Sequence, residues 1–225
     1  MELTATNLSR RYLRQGKGKN FFFAVQKTDL TLEPGKLIQI SGRSGSGKST
    51  LLNMLAGLLE PTTGQVLLDG QDMYALSDGV RSELRNRCIG VIPQGQTGLH
   101  SLTVLENVKL PSQMYGREPC TDEFAEALLD QVGIAELKDV YPNELSGGEM
   151  RRLAIARALV MTPGILLADE PTGDLDDENT QTVLKLLRAS AESGKAVLLV
   201  THEKEAAAYA DRVYTMREGV LTLEA

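Results

Sequence analysis

Short, almost wholly apolar runs recur along the chain, with helically spaced stretches between them. Leu37-Ile38-Gln39-Ile40 leads into a glycine-rich turn, and Cys88-Ile89-Gly90-Val91-Ile92 ends at Pro93. Ile165-Leu166-Leu167-Ala168 ends in Asp169, and Ala196 to Val200 ends in Thr201-His202. Runs this short, with polar residues at their carboxyl ends, predict parallel strands covered on both faces. The flanking Gly, Pro and Asp favour strands over buried helix turns.

Between the runs the spacing predicts helices. Thr121 to Gln131 places Phe124, Leu128 and Leu129 on one face and stops near Gly133, a C-cap residue. Thr180 to Ala191 does the same with Val183, Leu184 and Leu187, stopping near Gly194. Two hairpins are predicted: Val66 to Leu68 turning at Asp69-Gly70, and Arg212 to Met216 turning at Glu218-Gly219 before Val220-Leu221. Gly16 to Asn20 is the most loop-like segment, and no repeat or interdomain linker is present. Alternating strands and helices mean an α/β fold.

Composition narrows the class without naming a function. At 225 residues the chain suits one globular unit with its own core. Two cysteines, Cys88 and Cys120, exclude a disulfide scaffold and fit a reducing cytosol. They lack metal-ligand spacing. A net charge of −6 is the opposite of a nucleic-acid footprint. The amino terminus has no apolar signal core, and no uncharged run approaches the roughly 20 residues that span a bilayer. Work at a membrane would need a second chain to supply the spans.

The chemistry begins at Gly42-Arg43-Ser44-Gly45-Ser46-Gly47-Lys48-Ser49, which fits G-x-x-x-x-G-K-[ST] and is followed by Thr50. It lies between a predicted strand and a helical run, the context this phosphate loop requires. Glycines let consecutive N–H groups converge on a phosphate, and the helix start adds a positive dipole end. Lys48 would reach the β- and γ-phosphates, and the Ser49 hydroxyl would ligate Mg²⁺. Asp169 at its strand end is placed to hold Mg²⁺, and Glu170 to act as general base toward water. On its own that pair reads equally as an acidic turn before Pro171; the phosphate loop decides for the functional reading.

Leu145-Ser146-Gly147-Gly148-Glu149 opens a further helix. Ser146 and Glu149 form a capping box, and Gly147 and Gly148 expose N–H groups beside the hydroxyl, which also makes an anion site.

With these motifs the chain resembles the nucleotide-binding subunits of ATP-binding cassette (ABC) transporters. Leu145 to Glu149 looks like the family's signature, with Glu149 where glutamine is commoner. Gln94 resembles the Q-loop glutamine, though Gly95 follows it in place of a bulkier polar residue. Gly173-Asp174-Leu175-Asp176 resembles the D-loop, His202 the switch histidine, and Tyr12 the residue that stacks on adenine, with Phe21, Phe22 and Phe23 offering other rings. The likeness runs from about residue 2 to 223.

The resemblance implies a P-loop NTPase (RecA-like) core with a mainly parallel sheet, an antiparallel β subdomain and an inserted α-helical subdomain. The core and β subdomain would take about 1–93 and 158–225, and the helical subdomain about 94–157. It further implies a head-to-tail dimer, with itself or a close paralogue, around two ATP. Each ATP would be held by Ser44 to Thr50 of one subunit and Ser146 to Gly148 of the other. Gln94 would sense Mg²⁺ and the γ-phosphate, His202 would hold the γ-phosphate and water, and Asp176 would contribute at the interface.

The loop over residues 13–24, Ser101 to Val108 and Asp169 to Asp176 look like the branch of lipoprotein-releasing, macrolide- or peptide-exporting and cell-division ATPases. That branch implies a separately encoded permease, a place on the cytoplasmic face of the plasma membrane, and no nucleic-acid partner. Leu99, Leu102, Val104 and Leu105 are then candidates either for the permease-facing groove or for the core of the helical subdomain. Two other readings keep the ATPase. One is a transmembrane signalling complex. The other is a soluble ATPase in DNA repair or translation, disfavoured by the single cassette and the lack of long heptad segments.

Overall fold

The computed structural model describes residues 1–13, 21–95, 98–116, 118–173 and 175–224. The predicted loop at 16–20 therefore lies outside the described residues.

Two long strands, β1 (Leu3–Leu13) and β2 (Phe21–Leu32), pair antiparallel. β3 (Leu37–Ser41) feeds the phosphate loop and α1 (Lys48–Leu55). β4 (Thr63–Leu68) and β5 (Gln71–Asp72) form the first predicted hairpin, followed by α2 (Asp78–Cys88) and β6 (Ile89–Ile92). Then come α3 (Val104–Lys109), α4 (Asp122–Gln131) and α5 (Gly147–Leu159). The chain returns through β7 (Ile165–Asp169), α6 (Asp177–Glu192), β8 (Ala196–Val200), β9 (Arg212–Arg217) and β10 (Val220–Leu223).

Among the described residues the strands make two sheets. One is antiparallel in the order β2-β1-β4-β5; the other runs β10-β9-β3-β8-β7-β6 and is parallel except for its terminal β9–β10 hairpin. The apolar runs explain the layering. Successive strand residues point to opposite faces, so Ile165 and Leu167 of β7 join one core while Leu166 and Ala168 join the other. β8 splits likewise, Ala196, Leu198 and Val200 against Val197 and Leu199. The first core is completed by Leu51, Leu52 and Leu55 of α1 and by Leu3, Leu8 and Val66 of the antiparallel sheet. The second is completed by Leu153 and Ile155 of α5, Val183, Leu184 and Leu187 of α6, and residues of α3 and α4. Each fully buried Leu or Ile here contributes about 1.5–3 kcal/mol of transfer free energy.

Some predicted details shift. Cys88 closes α2 and does not enter the strand. Phe124 is exposed, and the buried stripe of α4 is Ala125, Leu128 and Leu129, because the helix docks along that edge. α6 starts three residues before Thr180: its first turn, Asp177-Glu178-Asn179, is polar and gives no apolar period. Val104 is fully buried in the second core with Leu105 packed against it, whereas Leu99 stands in solvent.

Candidate functional site

The phosphate loop crosses from the end of β3 to the start of α1, and two of its glycines are fixed by close backbone approach. Gly47 has φ 109°, and a Cβ there would lie 2.0 Å from the Ala24 carbonyl oxygen; one at Gly42 would lie 2.4 Å from that of Met216. The loop is thus wedged between β2 and the β9–β10 hairpin. The turn of that hairpin braces it: the Gly219 N–H donates to the Ser46 carbonyl at 3.0 Å, and the Gln26 N–H to the Gly219 carbonyl at 2.8 Å. The first turn of α1 leaves the N–H groups of Lys48, Ser49 and Thr50 without intrahelical acceptors, pointing into the loop.

Lys48 is buried, and its Nζ donates to the carbonyls of Gly42 (2.7 Å) and Arg43 (3.2 Å). It also lies 3.7 Å from Glu170 Oε1. Asp169 and Glu170 leave β7 beside it. The Ser49 hydroxyl bonds to the Asp169 carboxyl, while Asp169 Oδ1 is buried without a hydrogen-bond partner. Burial pushes this carboxyl above its usual value, against the pull of the Ser49 hydroxyl; the neighbouring Glu170 charge adds to the rise, and Lys48 and Arg151 oppose it. Glu170 adopts a left-handed backbone, φ 46°, which costs a side chain of this kind about 1–2 kcal/mol. Its N–H is tied to the Val200 carbonyl at 2.8 Å, across to β8. The strain turns the carboxylate toward the loop and toward His202, whose ring Nδ1 lies 2.9 Å from Glu170 Oε2.

A cleft of about 1300 Å³ collects these groups: Ser44, Gly45, Gly47, Lys48, Ser49, Thr50, Gln94, Glu170 and His202 all line it. Gln94 reaches it from the exposed turn after β6. Tyr12 lines the far end with Phe21, Phe22 and Phe23. Phe22 is tilted against the Tyr12 ring at 5.8 Å between centroids, and the Arg10 guanidinium stands 4.9 Å from that ring's centre. Gly42 and Ser46 line an adjoining cavity of about 900 Å³ that shares Arg43, Ser44, Gly45 and His202 with the first.

The remaining predicted residues are not in the cleft. Ser146 caps α5 as a capping box, its N–H donating to Glu149 at 2.7 Å and its hydroxyl at 2.8 Å. These two bonds hold the Glu149 carboxyl below its usual value. Ser146 and Gly147 are exposed and line neither cavity. Gly148 packs beside Asn179, and Asp176 caps α6 by accepting from the Asn179 N–H at 2.8 Å. The signature segment and the start of α6 thus neighbour each other, apart from the phosphate loop. Asp174 lies outside the described residues.

Two contributors escaped the sequence reading. The hairpin turn at Glu218-Gly219 is legible as a turn, but its docking on Ser46 joins positions far apart in the chain. Arg151, on a helix otherwise read for its apolar face, donates to the Pro93 carbonyl at 2.9 Å; an arginine on the buried side of α5 was the available signal.

This arrangement has relatives. The sequence profile of the ABC transporter family matches residues 25–173. The lipoprotein-releasing system ATP-binding protein LolD of Shewanella frigidimarina is 44% identical over 200 residues, covering 88% of this chain and 83% of that protein. The macrolide export ATP-binding/permease protein MacB of Chlorobaculum tepidum is 39% identical over 204 residues, 91% of this chain but 31% of its own longer one. A solved dimeric ATP-binding cassette in a post-hydrolysis state, bound to ADP and phosphate, superposes with a TM-score of 0.89 at 32% identity, covering 98% of both chains. The phosphate loop, the acidic strand end and the capped signature helix thus sit on the cassette fold, and the chain belongs to the ABC transporter family as an ATP-binding, ATP-hydrolysing subunit.

Proposed function

We propose that this ATPase closes head-to-tail on a second copy of itself, or on a close paralogue, with two ATP in the interface. Closure would drive a separately encoded membrane permease that exports or extracts a lipoprotein, peptide or drug. The observation that carries this reading is the separation within one chain: Lys48, Gln94, Glu170 and His202 line one cleft, while Ser146 and Gly147 stand exposed elsewhere, with Gly148 half-buried beside them. Two phosphate-reading helix starts in one chain exceed what one nucleotide needs. A second copy placing its Ser146 over the first copy's cleft uses both.

Within the cleft the chain's own groups divide the work. Lys48 and the N–H groups of the phosphate loop bind the β- and γ-phosphates, and Tyr12 takes the adenine. Glu170 orients and deprotonates water for in-line attack on the γ-phosphorus. His202 holds the γ-phosphate and that water, and the partner copy's signature serine adds a donor. The residues present fit Mg²⁺: Asp169 carries a buried unpartnered oxygen next to the Ser49 hydroxyl, hard donors of the kind this ion prefers, with Gln94 on the cleft wall. Bound there, the ion would neutralise charge on the β- and γ-oxygens.

Among the described residues no helix is long and apolar enough to cross a membrane, and we assign the spans to the partner. The relative named as the ATP-binding protein of a lipoprotein-releasing system, matched over 83% of its length, supports this division of labour, whereas the macrolide exporter's name joins an ATP-binding and a permease part in one longer chain. We place the chain on the cytoplasmic face of the membrane, and its net charge of −6 speaks against a nucleic-acid partner. The test is capture of the tagged Glu170→Gln chain with ATP from native membranes. Recovery of a permease with the chain supports the reading; recovery of ribosomal or DNA-bound proteins without any membrane protein overturns it.

A further inference from the structure

Arg151 lies in the second turn of α5, 9% exposed, among residues that are otherwise apolar on that side of the helix. Burying a guanidinium is costly unless its charge is used in hydrogen bonds. Here the side chain crosses from α5 to the end of β6 and donates to the Pro93 carbonyl at 2.9 Å. Pro93 immediately precedes Gln94, and Gly95 follows at φ 91°, a conformation open to glycine. On the near side of Gln94 the strand end is held by the pairing of Ile92 with Ala168, and Arg151 adds a hold on the next carbonyl. That side chain belongs to the helix whose first turn carries Ser146.

We infer that Arg151 is a positioning residue for ATP hydrolysis: by clamping the Pro93 carbonyl to α5, it fixes Gln94 in the cleft and couples Gln94 to the signature helix. Movement of α5 on closure is then transmitted toward Gln94 through the Arg151 guanidinium. The inference rests on the proposed role of Gln94 in the nucleotide cleft.

The test is a double-mutant cycle on the full-length chain, measuring kcat and KM for ATP in the parent, Gln94→Ala, Arg151→Met and the double variant. Arg151→Met is expected to lower kcat about tenfold or more with KM for ATP nearly unchanged, as loss of alignment does. In the Gln94→Ala background it should lower kcat no further. Arg151→Lys, which keeps a donor and the charge, should recover much of the lost rate. An equal fall in both backgrounds would overturn the clamp while leaving Gln94 in its role. An unchanged kcat in Gln94→Ala alone would instead overturn the role of Gln94. Should Arg151→Met not fold, Arg151→Gln enters the same cycle with a shorter donor. A uniform loss of melting temperature without the kcat-only signature would mark Arg151 as merely structural.

Discussion

Glu170 and His202 share one carboxylate oxygen: Glu170 Oε2 lies 2.9 Å from the His202 ring Nδ1 and 3.3 Å from its backbone N–H. A carboxylate only accepts, so Nδ1 carries the proton and the imidazole edge bearing Nε2 turns away from it. The other carboxylate oxygen faces Lys48 at 3.7 Å. Replacing Glu170 by Gln keeps the shape and an accepting oxygen for His202 but removes the base. Hydrolysis should fall by about 10²-fold or more, with ATP still bound and an ATP-dependent dimer persisting in size-exclusion chromatography. Steady-state turnover near the parental rate would contradict the assignment of Glu170.

His202→Ala removes a side chain that is largely exposed, so the fold should not suffer. Turnover should drop about tenfold or more while the melting temperature stays within a few degrees. Equal turnover in parent and variant would leave His202 a bystander.

Lys48→Ala acts earlier, at binding. Loss of a buried cation that meets phosphate oxygens is expected to weaken ATP affinity by about 10–100-fold, read by calorimetry. Unchanged affinity would refute the phosphate-loop role of Lys48.

Gly47→Ala adds a single methyl group where the nearest atom, the Ala24 carbonyl oxygen, would be 2.0 Å away. Either β2 or the loop must move, at a cost of about 1–3 kcal/mol from overpacking and more from the positive φ. ATP affinity should fall with the melting temperature. A variant matching the parent in both would show that the wedge is not needed.

Asp211 offers a pH test away from the cleft. Its carboxylate accepts from the Leu37 N–H at the start of β3 and from Arg188, both at 2.8 Å, and faces Lys36 at 3.4 Å. Burial pushes this carboxyl up, but the N–H and the two cations more than offset it, leaving it below its usual value. The sign follows: its stabilisation is present above the unfolded carboxylate pKa of about 3.9 and is lost as pH falls through the lower folded value. Asp211→Asn should cost about 1–2 kcal/mol at pH 7, a few degrees in melting temperature, with the gap closing as the pH falls below the unfolded carboxylate value. A gap independent of pH would rule out the ionised form as its source.

The sequence made the strands legible because their apolar residues face two cores at once, and the phosphate loop legible because its chemistry demands glycines in a fixed frame. The signature segment could be read as a cap from Ser146 and Glu149 alone. What escaped depends on distance along the chain. The polar first turn of α6 carries no period, Phe124 lies on a helix edge that spacing cannot place, and the Arg151 to Pro93 bond joins residues 58 positions apart. The strained backbone of Glu170 is invisible in sequence, since glutamate is not a residue that favours φ above zero.

The bond from the Gly219 N–H to the Ser46 carbonyl has a temporal meaning. Synthesis delivers residues 42–49 long before residue 219, and strand β9, which flanks β3, is also late. A nascent chain therefore carries the phosphate-binding sequence without the brace that shapes it until synthesis has passed residue 219. The grip on ATP thus awaits the β9–β10 hairpin: a chain stopped before residue 219 would hold the sequence of the phosphate loop without its brace.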